Sequence, residues 1–248
     1  MASDLLLIGA ALLAGLMNAV AGGGSFLTFP ALVFTGVPSI IANASSTVAL
    51  FPGAFASAWG YRDDFQGFEG VRLKAVLLVS TIGGVGGALL LLYTPDKTFD
   101  AIVPWLLLTA TIAFAFGPWL APRLHRSFRI RPLTLLPTQF LVGLYAGYFG
   151  GAIGLIMMAA WSLLGLTDVK AMNATRTLIG GSMNAAAVVC FVIAGKIWWH
   201  QTLIMLVAAV IGGYTGARIG RRMNPRHIRV VITFISVAMT IAFFRRRF

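Results

Sequence analysis

The chain has 248 residues, 58% of them hydrophobic and 10% charged, with a mean hydropathy of +0.88 and a formal charge of +12. So apolar and so thinly charged a composition excludes an ordinary soluble domain and reads as an all-α polytopic membrane protein seated in a lipid bilayer. The positive charge does not point to nucleic acid, because the basic residues gather at segment ends without any nucleic-acid motif; the single Cys190 offers neither a disulfide framework nor metal spacing, and no cofactor is expected.

The first apolar stretch, residues 5–21, imitates a secretory signal with the small-residue cleavage site Ala19-Val20-Ala21. Asp4 stands where a positive region belongs and the stretch is echoed later in the chain, so it reads as a retained membrane segment. Gly22-Gly23-Gly24-Ser25 then interrupts the hydrophobic run. The segment after it, 26–37, has about 12 residues, a length for re-entrant, interfacial or buried helices rather than a crossing. Residues 40–59 form a longer segment that opens on Asn43, Ser45, Ser46 and Thr47, residues 75–93 carry Gly83, Gly84 and Gly87, and an acidic loop at 94–100 leads to a further segment at 102–120.

A basic linker at 122–132, with Arg123, Arg126, Arg129 and Arg131, separates this first membrane repeat (1–121) from a second (133–248). The second runs in the same order. An apolar segment at 133–149 meets the break Gly150-Gly151, a short segment follows at 153–166, and a long one at 171–194 opens on Asn173, Thr175, Arg176 and Thr177. Residues 203–217 carry Gly212, Gly213 and Gly216, and an Arg-rich loop at 218–229 precedes the last segment, 230–244, and the tail Arg245-Arg246-Arg247.

At an offset of about 128 to 130 residues, Gly15-Leu16 falls on Gly143-Leu144, Gly22-Gly23 on Gly150-Gly151, and Asn43-Ala44-Ser45-Ser46-Thr47 on Asn173-Ala174-Thr175-Arg176-Thr177, which is internal duplication. The fold class is therefore two homologous halves of four to five membrane segments each, with short broken helices near the centre. Five crossings per half would invert one half relative to the other, placing the acidic loop outside and the Arg-rich loop inside, as the positive-inside rule asks. The same arrangement sends the Arg245 to Arg247 tail outside; four crossings per half violate the rule with larger clusters, so the inverted arrangement is preferred.

Glycine breaks at matching places in two repeats point to a transporter's central binding site. Unwound backbone at membrane depth survives only when buried in protein or beside a watery cavity, and a helix restarting after a break offers free N–H groups and a positive dipole end that attract anions. The candidate substrate-binding residues are accordingly Gly22, Gly23, Gly24, Ser25, Gly150 and Gly151 at the breaks, and Asn43, Ser46, Thr47, Asn173, Thr175, Arg176 and Thr177 in the polar clusters. In this reading backbone N–H groups after Gly24 and Gly151 donate to anion oxygens and the two asparagines orient the anion. Arg176 supplies the charge: an arginine inside a membrane segment costs at least about 2.5 to 3.5 kcal/mol, and without a fixed counter-ion its planar fork suits an oxyanion. The competing reading has Arg176 snorkel to the cytoplasmic face beside Lys170.

Other features read more plainly. Gly83, Gly84, Gly87, Gly212, Gly213 and Gly216 suit close helix crossings, and Asn18 and Asn184 are each explained by one interhelical hydrogen bond. Trp59, Trp105, Trp119, Trp198 and Trp199 lie near segment ends as interfacial anchors.

The run from Gly15 to Phe26 with Pro30-Ala31-Leu32, taken with Asn43-Ala44-Ser45-Ser46-Thr47 and Asn173-Ala174-Thr175-Arg176-Thr177, resembles the TauE/SafE sulfite exporter family, also called the toluene sulfonate uptake permease family. The resemblance runs over nearly the whole chain. It implies a bacterial or plant inner-membrane secondary carrier, built from two homologous halves, for sulfur-containing oxyanions such as sulfite or sulfonates. A passive anion or small-solute channel is the alternative, since short half-helices can also line a pore. An intramembrane enzyme fares poorly, because His125, His200 and His227 all lie at segment ends with no intramembrane carboxylate to pair.

Overall fold

The computed structural model describes residues 2–20, 22–65, 71–127, 134–151, 153–163, 169–220 and 225–247. Among these residues ten α-helices follow one another: α1 (Ala2–Val20), α2 (Ser25–Phe34), α3 (Ser39–Gly60), α4 (Leu73–Tyr93), α5 (Asp96–Ser127), α6 (Leu135–Tyr148), α7 (Ile153–Leu163), α8 (Val169–Ile193), α9 (Trp199–Gly220) and α10 (Pro225–Arg247). A single 3₁₀ turn at Arg62–Asp64 interrupts the connection after α3.

Helix α2 has 10 residues and α7 has 11, about 15 Å and 16 Å of rise, half of a hydrocarbon core about 30 Å thick. These are the short segments that the sequence marks. Of the eight longer stretches, α1, α3, α4, α8 and α9 are long and apolar enough to cross a membrane among the described residues. Helix α6 is not, with 14 residues, because the chain breaks at Gly150 directly after it. The charged loops are also shorter than the sequence suggests. Asp96 lies in the first turn of α5 and Asp100 one turn on, where a carboxylate complements the helix dipole. Helix α9 reaches Gly220 and α10 restarts at Pro225, a residue suited to a first helical position. Helix α5 likewise runs past residue 121 into the basic linker.

Helices α1 to α5 and α6 to α10 interlock rather than sit side by side. Helix α1 packs along α9 and α6 along α4; α3 packs on α9 and α8 on α4; α2 touches α10 and α7 touches α5; α3 and α8 meet at the centre. Exchanging each helix with the one five places along maps each of these pairs onto another, and the central pair α3 with α8 onto itself.

Glycine makes the closest crossings possible. A Cβ on Gly147 would collide with the Gly84 carbonyl and one on Gly87 with the Leu144 carbonyl, while a Cβ on Gly15 would strike Ala209 O and one on Gly212 Leu12 O. Backbone-to-backbone approach of this kind is how helices associate where lipid tails remove the hydrophobic drive between them. The glycines of α4 and α9 therefore do the packing work expected of them. Around this frame the outward faces of α1, α4 and α9 keep large apolar side chains exposed, among them Leu5, Leu78, Ile82 and Val207. Trp59, Trp198 and Trp199 are likewise exposed near helix ends, whereas Trp105 is exposed within α5, nine residues after its start. Trp161, by contrast, is fully buried and donates from Nε1 to Gln139 Oε1 at 3.1 Å.

Candidate functional site

Both breaks are real departures from helix. Gly22 and Gly23 adopt φ of 77° and 101°, and Gly150 adopts 75°, the left-handed region that glycine enters without a Cβ penalty. Gly24 is different: it is helical (φ −56°) and caps α2, and its glycine serves closeness, since a Cβ there would meet the Ala14 carbonyl. The breaks touch. Ser25 Oγ, in the first turn of α2, donates to Gly150 O at 3.1 Å, and a Cβ on Gly22 would lie 3.1 Å from Gly154 Cα.

The asparagines of the polar clusters brace these breaks from behind. Asn43 Nδ2 donates to Tyr148 O at 3.0 Å and Asn173 Nδ2 to Ala19 O at 3.3 Å. Each thus satisfies a last-turn carbonyl of the first helix of the opposite half, a group that no intrahelical N–H can reach. With their amides occupied in this way, Asn43 and Asn173 are not among the residues that bound the cavity described below. Thr47 Oγ1 donates to Asn43 O at 3.0 Å and Thr177 Oγ1 to Ala174 O at 2.7 Å. Ser46 and Thr28 share a hydroxyl–hydroxyl bond of 2.6 Å.

Arg176 is 3% exposed, so the snorkelling alternative fails. Its Nε donates to Asn173 Oδ1 at 2.8 Å, and Nη2 reaches Asn18 O at 3.3 Å and Ala19 O at 3.5 Å. Those carbonyls form the C-terminal, negative end of α1, which favours a cation. Nη1 extends over Gly22 and Gly154: a Cβ on Gly22 would lie 2.9 Å from it and one on Gly154 would collide with it. Among the described residues no carboxylate lies within 4.0 Å of Arg176. Asp168, the acid nearest in sequence, lies outside the described residues. In the first half Ser46 stands at the corresponding place, so the charge belongs to one repeat alone.

Between the breaks lies a cavity of about 50 Å³, bounded by Asn18, Gly22, Gly23, Ser25, Ser46, Thr47, Leu50, Ala54, Gly150, Ile153, Gly154, Met157, Arg176, Thr177, Gly180 and Asn184. That is room for a few waters or a ligand of a few heavy atoms. It gathers eight of the residues singled out from the sequence: Gly22, Gly23, Ser25, Ser46, Thr47, Gly150, Arg176 and Thr177. Gly24, Asn43, Gly151, Asn173 and Thr175 lie outside its lining; the Gly24 N–H is taken by Asn18 Oδ1 at 2.8 Å, and Gly151 abuts the Phe149 ring. Asn18 and Asn184, which one helix contact each would explain, are both on the wall, and Gly154, which the sequence reading passed over, seats the guanidinium. Its place one turn after the second break was the available signal. Among the described residues, His, Cys, Asp and Glu do not gather in groups of three that would hold a metal.

Residues 7–243 match the family model described as sulfite exporter TauE/SafE. The chain belongs to the TauE/SafE family. It is 30% identical over 240 residues, 94% of this chain and 88% of the relative, to the probable membrane transporter protein ORF9 of a Sinorhizobium species. Similar likenesses join it to the probable membrane transporter YfcA of Escherichia coli K12 (29% over 236 residues, 93% and 85% of the two chains) and to a probable membrane transporter of Haemophilus influenzae (30% over 233 residues, 92% and 89%). This TauE/SafE chain is a multi-pass membrane transporter, and its family points to transport rather than catalysis.

Proposed function

We propose that the protein is a secondary transporter that carries small oxyanions, of the sulfite or sulfonate type, through the cavity where the two glycine breaks meet. The observation that carries this reading is Arg176: a buried guanidinium with one edge held by the carbonyl end of α1, the other over the cavity, and no carboxylate within 4.0 Å among the described residues. A buried charge without a partner is costly, and an anion in the cavity supplies the partner through paired N–H donors. The cavity's 50 Å³ favours a compact oxyanion over an arylsulfonate in this conformation. The family description, sulfite exporter, supports the sulfur chemistry.

Alternating access follows from the same arrangement. Each half holds five helices in the same order and the site lies at their junction, so rocking one half against the other exposes the anion to each side in turn. With bacterial relatives, the natural setting is an inner membrane. Arg176→Gln keeps most of the side-chain volume and removes the charge. In proteoliposomes, exchange of labelled for unlabelled sulfite is expected to fall to background with the variant folded, whereas undiminished exchange would remove Arg176 from the site. Saturable exchange also separates a carrier from an open channel.

A further inference from the structure

Asn18 makes two hydrogen bonds that leave a third polar group over. Its backbone O accepts from Arg176 Nη2 at 3.3 Å, and its Oδ1 accepts from the Gly24 N–H at 2.8 Å. An N–H only donates, so the bond from Gly24 fixes which end of the amide is oxygen and leaves Nδ2, with its two protons, as the other end. Nδ2 has no acceptor among the described residues and keeps accessible surface, whereas Asn184 Oδ1, also without a partner, is sealed off. Asn18 is partly buried and bounds the cavity beside Arg176.

The backbone donors of the first break are largely occupied. The Gly24 N–H ends on Asn18, and those of Phe26 and Leu27 end on Gly23 O and Gly24 O at 3.0 Å each. At the offset that sets Gly22 on Gly150, Asn18 falls on Ala146, which has no side-chain donor, so this amide has no counterpart after the second break. We infer that Asn18 is a second ligand of the transported anion, donating from Nδ2 to one oxygen while Arg176 Nη1 donates to another. This deepens the oxyanion-transport reading and rests on it. The Gly24 N–H, at the positive end of α2, polarises the amide whose far end meets the anion, so the dipole of α2 acts on the ligand through a side chain.

The test is sulfite exchange in proteoliposomes at neutral pH with two variants. Asn18→Leu keeps the shape of the side chain and removes both amide groups; the KM for sulfite is expected to rise roughly tenfold to a hundredfold, the loss of one hydrogen bond to a charged group, with the maximal rate per folded molecule little changed. Asn18→Asp keeps an acceptor for the Gly24 N–H and replaces the donor by a negative charge beside Arg176. It is expected to melt in detergent no lower than the parent protein while exchange falls to background, and it carries the test alone if Asn18→Leu does not fold. A parental KM in Asn18→Leu, with only the melt or the maximal rate lowered, or exchange by Asn18→Asp at the parental KM, overturns Asn18 as a ligand while the transport reading stands; no sulfite exchange by the parent protein overturns the transport reading itself.

Discussion

Gly154→Ala tests the site without touching its charge. The position is free of left-handed backbone strain, and alanine within a helix is favoured over glycine by about 1 kcal/mol, so the fold itself has little reason to suffer. The added methyl collides with Arg176 Nη1 and comes within 3.1 Å of Cζ and 3.3 Å of Cδ. The guanidinium has to swing off the cavity, and in doing so loosens the 2.8 Å bond from Nε to Asn173 or the longer ones from Nη2 to Asn18 and Ala19. Hydrogen bonds to charged groups contribute about 1.5 to 3 kcal/mol, and each 1.4 kcal/mol is about a factor of ten. The apparent affinity for the anion should therefore fall roughly tenfold to a hundredfold, with thermal unfolding in detergent shifted little. Gly9→Ala is the matched control, since Gly9 lies outside the cavity lining and its methyl would meet nothing within 4 Å. If Gly154→Ala exchanges sulfite with the KM of the parent protein, the position of the guanidinium does not matter and the proposed site is wrong.

Two further outcomes are expected from the frame around the site. Gly147→Ala drives a methyl into the Gly84 carbonyl and to 2.8 Å from Ala88 N, both rigid backbone, so α4 and α6 must part; overpacking of this kind costs about 1 to 3 kcal/mol and should lower the detergent melting temperature by several degrees, where Gly86→Ala, with only Leu144 Cδ1 at 3.6 Å, should not. Asn43→Ala strips the Tyr148 carbonyl of its partner, about 1 to 3 kcal/mol, while Asn173→Ala leaves the Ala19 carbonyl only the longer bond from Arg176 Nη2; both should lower the same melt. Only Asn173 also holds Arg176, so Asn173→Ala should depress sulfite exchange well below Asn43→Ala; equal exchange by the two variants would show that Asn173 does nothing for the arginine.

Much of this fold is legible along the chain because its causes are local. Glycine allows the left-handed backbone of Gly22, Gly23 and Gly150, and the short apolar segment that follows each of these pairs is what marks a break, since Gly83-Gly84 and Gly212-Gly213, inside full-length apolar runs, stay helical. The spacing of those breaks and the apolar length after each give the half-length helices, and the duplication pairs them. An arginine in the middle of an apolar segment announces itself by the cost of putting it there.

What the sequence by itself could not decide is where each polar group points, because that depends on elements far apart in the chain. Asn43 and Asn173 show nothing of their partners until α6 and α1 are laid across them and take their amides; Asn18 looks incidental until Gly24 turns its amide and Arg176 docks on its carbonyl. Gly154 carries no mark of its own until the guanidinium lies over it. Backbone breaks follow from torsional freedom, which belongs to single residues, whereas a binding wall follows from which donors and acceptors are left over once the interlocked halves have satisfied the rest, and only the tertiary structure sets that remainder.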